Sequence, residues 1–187
     1  MGLGVNDINL EKLKATDTAI RQDPGLGKVV VKARSTWCRG TMTQVALSEW
    51  YAGGTLMTPR PRRFTIMVDE PPDLGGGDAA PFPIEVVLAA LAGCVTNATA
   101  TNAALFEIPI DGIEMELEAH LDARGFLGHD KSVRNGITDI HYTITIQSPA
   151  AEEEVRRCKE TIDRKSAVRD TLANPVNITS RFVYKPS

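Results

Sequence analysis

Apolar and polar residues alternate twice with a period of two in the second half of the chain. Ile113, Met115, Leu117, Ala119 and Leu121 fall on one side of the first run, and Glu114, Glu116, Glu118, His120 and Asp122 on the other. That pattern predicts a half-buried antiparallel strand. In the second run Ile140, Tyr142, Ile144 and Ile146 point inward, and the polar, glycine-containing stretch 124–136 makes the pair a hairpin with a long connection. Residues 28–36, 41–50 and 63–68 are shorter β-prone stretches between Gly and Pro signals, which predicts an N-terminal meander, and residues 176–184 read as a last strand. Helical spacing appears in four places. Leu10, Leu13 and Ile20 mark a modest amphipathic helix within 6–22, stopped near Pro24-Gly25, that docks on the domain or on a partner. Residues 83–106 form one long helix with Pro83 at its first position, Glu85 in its first turn and small residues (Ala89, Ala90, Ala92, Gly93) that admit another backbone closely. Ala151, Val155, Cys158 and Ile162 stripe a third helix, and residues 166–173 form a fourth, ended by Asn174-Pro175. Strands in runs separated by single helices place the chain in the α+β class, with antiparallel sheets around a long central helix.

Length and composition narrow the function. At 187 residues the chain is a single domain, 1–187, carrying a helical extension at 1–27. With 42% hydrophobic and 24% charged residues it is an ordinary globular composition, and a net charge of -3 without a basic run argues against nucleic acid and anionic membrane as partners. The longest apolar run, 86–95, is about half of what spans a bilayer. The N-terminus shows no basic-then-apolar leader, so the expected location is cytoplasmic and reducing. The loop 69–82 holds Gly75, Gly76 and Gly77 but lacks the Lys-Ser/Thr ending of a phosphate-binding loop. No metal site and no cofactor is expected.

Three cysteines, widely spaced and without a CxxC pair, give neither a disulfide framework nor a zinc site. Cys158 lies on the apolar stripe of its helix and reads as core; Cys38, between Trp37 and Arg39 at a strand end, has no base near it in sequence. Cys94 sits in the middle of the small-residue helix. The run Pro83-Ile84-Glu85-Val86-Val87-Leu88-Ala89-Ala90-Leu91-Ala92-Gly93-Cys94 resembles the first signature of the OsmC/Ohr family, a Pro-x-Glu opening followed by a reactive cysteine. Residues Ser166-Ala167-Val168-Arg169-Asp170-Thr171-Leu172-Ala173-Asn174-Pro175-Val176 resemble its second signature, which normally opens Cys-Pro-Val.

The resemblance implies an intertwined α+β homodimer with active sites at the subunit interface. It also implies a stress-response thiol peroxidase that reduces organic hydroperoxides and, less well, hydrogen peroxide. In the family a first cysteine attacks the peroxide, a second resolves the sulfenic acid, and an arginine and the helix-opening glutamate activate the thiolate. Carried over, Cys94 matches the peroxidatic cysteine and Glu85 the glutamate, while the N-terminal strands offer Arg39, favoured for its place next to Gly40, or Arg34. The departure is Ser166, which stands where the second cysteine belongs and cannot form a disulfide. It caps the short helix after it, or hydrogen-bonds the Cys94 sulfur.

Helix geometry gives an independent check. Nine residues place Glu85 and Cys94 about 180° apart around one straight helix and about 13 Å apart along it, so a second segment or subunit must bridge them if they cooperate. Arginine is the required cation, because a cysteine three turns into a helix gains little from the dipole. His120 and His141 on polar strand faces, and His129 in a loop, read as solvated side chains; two histidines without a third ligand are a weak metal signal. Trp37, Trp50 and Tyr51 wall a pocket or pack in a core or interface.

Two functions follow from the sequence. One is a peroxidase working through Cys94 alone, with an external low-molecular-weight or dihydrolipoyl-type dithiol as reductant and a hydroperoxide as substrate. The other is an impaired dimer that binds a small apolar or thiol ligand at its interface. A cysteine hydrolase is a third, weaker reading that requires a histidine beside Cys94.

Overall fold

The chain is described by a computed structural model covering residues 4–58 and 64–186. A short turn, Val5–Asp7, precedes helix α1, Leu10–Gln22, which is capped by the Asn9 side chain accepting from the Lys12 amide. Strands β1, Val29–Arg39, and β2, Met42–Ala52, form a hairpin registered from Val29 opposite Ala52 to Arg39 opposite Met42. Gly40 takes the hairpin corner with a φ of 51, a left-handed conformation that favours glycine. The two-residue β3, Thr55–Leu56, and β4, Phe64–Val68, both pair with β2. Arg63, where the sequence pattern opens that last strand, lies outside the described residues.

The loop after β4 is organised by one carboxylate. Asp69 is 2% exposed and accepts from the Thr41 hydroxyl at 2.5 Å, the Gly77 amide at 3.1 Å and the Ala79 amide at 3.2 Å. The Thr41 hydroxyl, then the Ala79 amide, hold its pKa below the usual carboxylate range. The Pro- and Gly-rich segment is therefore tied to the β1–β2 corner.

Helix α2, Pro83–Leu105, is continuous and begins with proline, as its sequence predicts. It is long and apolar enough to cross a membrane, a test that the core helices of globular proteins also pass. Its Leu91 and Val95 are buried under strands β5, Gly112–His120, and β6, Asp139–Gln147, while Thr99 and Ala103 are buried against Cys158. These strands are antiparallel, with Met115 opposite Ile144 and Leu117 opposite Tyr142 on the inward face. A short helix, α3, Ala123–Phe126, lies in their connection. Helix α4, Glu152–Lys165, contributes Cys158 and Ile162 to the core, and α5, Ala167–Ala173, is the last helix among the described residues. Leu91 is 3% exposed between Val95 and Ile162. Leu91→Ala leaves a cavity there and should lower the unfolding free energy by about 2–5 kcal/mol, as chemical denaturation will measure.

One expectation changes and one gains detail. The segment 176–184 is exposed, has no regular secondary structure and pairs with no strand among the described residues, where the sequence pattern predicts a last strand. The N-terminal extension meets the domain through the turn that precedes α1. The Asn6 Nδ2 donates to the Ala100 and Ile108 carbonyls at 3.3 and 3.1 Å, and its Oδ1 accepts from the Ile110 amide at 2.8 Å.

Candidate active site around Cys94

Cys94 lies near the middle of α2, half-buried. Ser166, between α4 and α5, is 2% exposed, and its hydroxyl donates to the Cys94 sulfur at 3.3 Å. The Ser166 oxygen also accepts from the Arg169 amide at 3.4 Å, capping α5. Both functions the sequence allows for this serine are thus met by one side chain. The end of α4 and the start of α5 hold Ser166 at the junction of two helices packed on α2, so residues 72 positions apart meet.

The other residues singled out are elsewhere. Glu85 closes the first turn of α2, its carboxylate accepting from the Phe82 amide at 2.9 Å. It is exposed and sits on the same unbroken helix as Cys94, with which it makes no contact. Arg39 ends β1, and neither its guanidinium nor that of Arg34 makes a hydrogen bond or ion pair among the described residues.

On the N-terminal half of α2 is a feature that the sequence pattern did not flag. A cleft of about 600 Å³, within the range of small-molecule sites, is lined by Ile84, Val87 and Leu91 of α2, Tyr142 of β6, and Arg134 and Arg169. Cys94 is not among its lining residues: it lies one turn of α2 beyond Leu91 and two turns beyond Val87. The Arg169 guanidinium donates to the Asp163 carbonyl at 2.7 Å, and the Tyr142 hydroxyl donates to the Asp163 carboxylate at 2.8 Å. Burial, and then the bond to Asp163, push the Tyr142 phenol up. Arg169 follows Ser166 by three residues inside the second motif, the spacing at which a first-turn residue lies beside its cap. That spacing is the signal that would have found it.

The remaining thiols differ in kind. Cys158 is 3% exposed among Ala103 and Ile108, and its sulfur accepts from the Asn102 amide group at 3.4 Å. Burial pushes its thiol up, which makes it a core residue and a poor nucleophile. Cys38 is exposed on β1.

Residues 75–181, more than half of the chain and including both motifs, match the family described as OsmC-like protein. The chain belongs to this family. No curated protein sequence matches it significantly. Among solved structures, the OsmC-like chain is similar to a putative osmotic stress induced and detoxification response protein from Psychrobacter arcticus. Their identity is 18%, with 76% of this chain and 88% of the other covered, at a TM-score of 0.55. An OsmC like protein from Mycoplasma pneumoniae matches at 16% identity, covering 78% and 87%, with a TM-score of 0.56. An organic hydroperoxide resistance protein OsmC from Legionella pneumophila matches at 15% identity, covering 76% and 88%, with a TM-score of 0.53. At these identities the likeness establishes the OsmC-like α+β fold.

Proposed function

We propose that this OsmC-like protein is a one-cysteine, thiol-dependent peroxidase for organic hydroperoxides, working in a reducing cytoplasm. The observation that carries the reading is the 3.3 Å contact between Cys94 and Ser166, in which the two family motifs converge on one sulfur. The thiolate of Cys94 attacks the terminal oxygen of the hydroperoxide, the O–O bond breaks, and the alkoxide leaves as an alcohol after taking up a proton. The Ser166 hydroxyl, aimed at the sulfur, stabilises its charge. The apolar cleft takes the organic part of the substrate, and Arg169 at its wall supplies the cation, with Arg39 joining only where a second chain brings β1 to the site.

Cys94 is left as a sulfenic acid. With serine at 166 no internal thiol resolves it, so an external dithiol does. One of its sulfurs displaces water from the sulfenic acid to give a mixed disulfide; the second then releases the Cys94 thiolate and leaves as a cyclic disulfide.

The functional unit in this reading is a homodimer. A monomeric globule of 20.3 kDa has an accessible surface of about 8,800 Å², whereas this chain presents 13,959 Å². The excess includes Val31 and Trp37 on β1 and Ile178 and Phe182 in the unpaired C-terminal segment, each 69% exposed or more. Apolar exposure on that scale supports coverage by a second copy. The small residues of α2 that face outward, Ala89, Ala90 and Gly93, fit close approach by another backbone.

Steady-state consumption of an alkyl hydroperoxide with a dithiol reductant tests the proposal. Turnover is expected to be faster with the alkyl substrate than with hydrogen peroxide. Consumption no faster than buffer and reductant alone would replace this reading with the ligand-binding one.

A further inference from the structure

The polar face of the β5–β6 hairpin carries three metal-ligating side chains brought together by strand register. Glu118 stands directly opposite His141, and His120, two residues on, shares their face. The His120 Nε2 is 3.4 Å from a Glu118 carboxylate oxygen, and the two imidazoles meet edge to face with centroids 5.7 Å apart. One donor atom from each residue falls within 4.8 Å of the others.

We propose that Glu118, His120 and His141 bind a divalent transition-metal ion of the Zn²⁺ class. Two donors on a tetrahedral Zn²⁺ stand about 3.4 Å apart, given metal–ligand distances of about 2.1 Å. The Glu118–His120 pair already has that spacing. The His141 ring closes the remaining distance by rotating about its side-chain torsions, which its exposed position permits. Imidazole selects Zn²⁺, Ni²⁺ or Cu²⁺ over Mg²⁺ and Ca²⁺, which take all-oxygen sets. Solvent fills the fourth position.

The charge of the face agrees. Its outward residues include Glu114, Glu116, Glu118 and Asp139 and no Lys or Arg, so a cation relieves repulsion among carboxylates. This site is distinct from the Cys94 region, because Leu117, Tyr142 and the other inward residues of the same strands separate it from α2. It lies at the end of the hairpin where the 121–138 connection leaves, so a bound ion fastens β5 to β6 at the point where their ladder stops. Two histidines alone are a weak signal in the sequence. The alternation places Glu118 beside His120, and the register adds His141 opposite Glu118.

Calorimetric titration of Zn²⁺ into chelator-treated, fully reduced protein tests the proposal, with Co²⁺ absorption as a second probe. The expected result is one ion per chain with saturation below the millimolar range. Loss of affinity of about tenfold or more is expected in His120→Asn, His141→Asn and Glu118→Gln taken singly, and no binding in the double histidine variant. Bound Co²⁺ should show ligand-field bands without thiolate charge transfer, and Zn²⁺ should raise the thermal midpoint of the wild type only. Absence of saturable binding overturns the proposal. So does binding that persists in the double variant or shows thiolate charge transfer, since Cys38 or Cys94 would then hold the ion.

Discussion

Cys94→Ser is expected to reduce hydroperoxide consumption to the rate of buffer and reductant alone. The hydroxyl that replaces the thiol has no base beside it and is a far weaker nucleophile than a thiolate, so the attack on the O–O bond has no substitute in the site. The substitution is close to isosteric. Residue 166 can donate to an oxygen at position 94 as it donates to the sulfur, at 3.3 Å, so the fold should change in stability by about 1 kcal/mol or less. A parallel melting curve separates lost chemistry from lost structure. Cys38→Ser and Cys158→Ser serve as contrasts and should retain turnover. Cys38 is exposed on β1 with no base bonded to its sulfur among the described residues, and Cys158 is shut in the core with its thiol pushed up by burial.

Ser166→Cys should change how the protein handles the oxidised sulfur. The two side chains already face one another at 3.3 Å, so a shift of about 1.3 Å brings two sulfurs to bonding distance. After one equivalent of hydroperoxide the variant is expected to hold a disulfide between residues 94 and 166, formed as the new thiolate displaces water from the sulfenic acid. That bond closes a loop of more than seventy residues and should stabilise the oxidised protein by about 4 kcal/mol on the chain-entropy account. Losing the serine cap on α5 costs about 0.5–2 kcal/mol, so the thermal midpoint of the oxidised variant should rise above that of its reduced form. Thiol counting under denaturing conditions reads the first effect and calorimetry the second. Persistence of free thiols after oxidation would show that the Cys94–Ser166 contact does not hold in solution.

The elements that were legible in the sequence are those whose neighbours lie in the same chain. The inward alternation of Ile113 to Ala119 and of Ile140 to Ile146 predicted β5 and β6 within one or two residues, because both faces are decided locally by α2 and by solvent. Pro83, Glu85 and the small residues marked α2 for the same reason. The segment 176–184 carries the β-prone residues of a strand, Val176, Ile178, Phe182 and Val183, but a strand needs a ladder, and it forms none among the described residues.

The site was partly legible. Cys94 and Ser166 stand in two motifs, and their meeting depends on how α4 and α5 pack on α2, which periodicity does not encode. Arg169 reads as one more polar residue of a short helix until the cleft appears beside it. Glu85 reads as a partner for arginine, but in the folded chain its carboxylate first satisfies the free amide at the start of its own helix.

The account stands or falls on what one equivalent of alkyl hydroperoxide does to the wild-type thiols. Protein treated in the presence of a sulfenic-acid trap, then digested and mapped by mass spectrometry, should carry one adduct per chain, on Cys94. Dithiol added before the trap should erase it. A disulfide joining Cys94 to Cys38 or Cys158, or an unmodified Cys94 with the peroxide unspent, would contradict a cycle that runs through this sulfur and stops there for an external thiol.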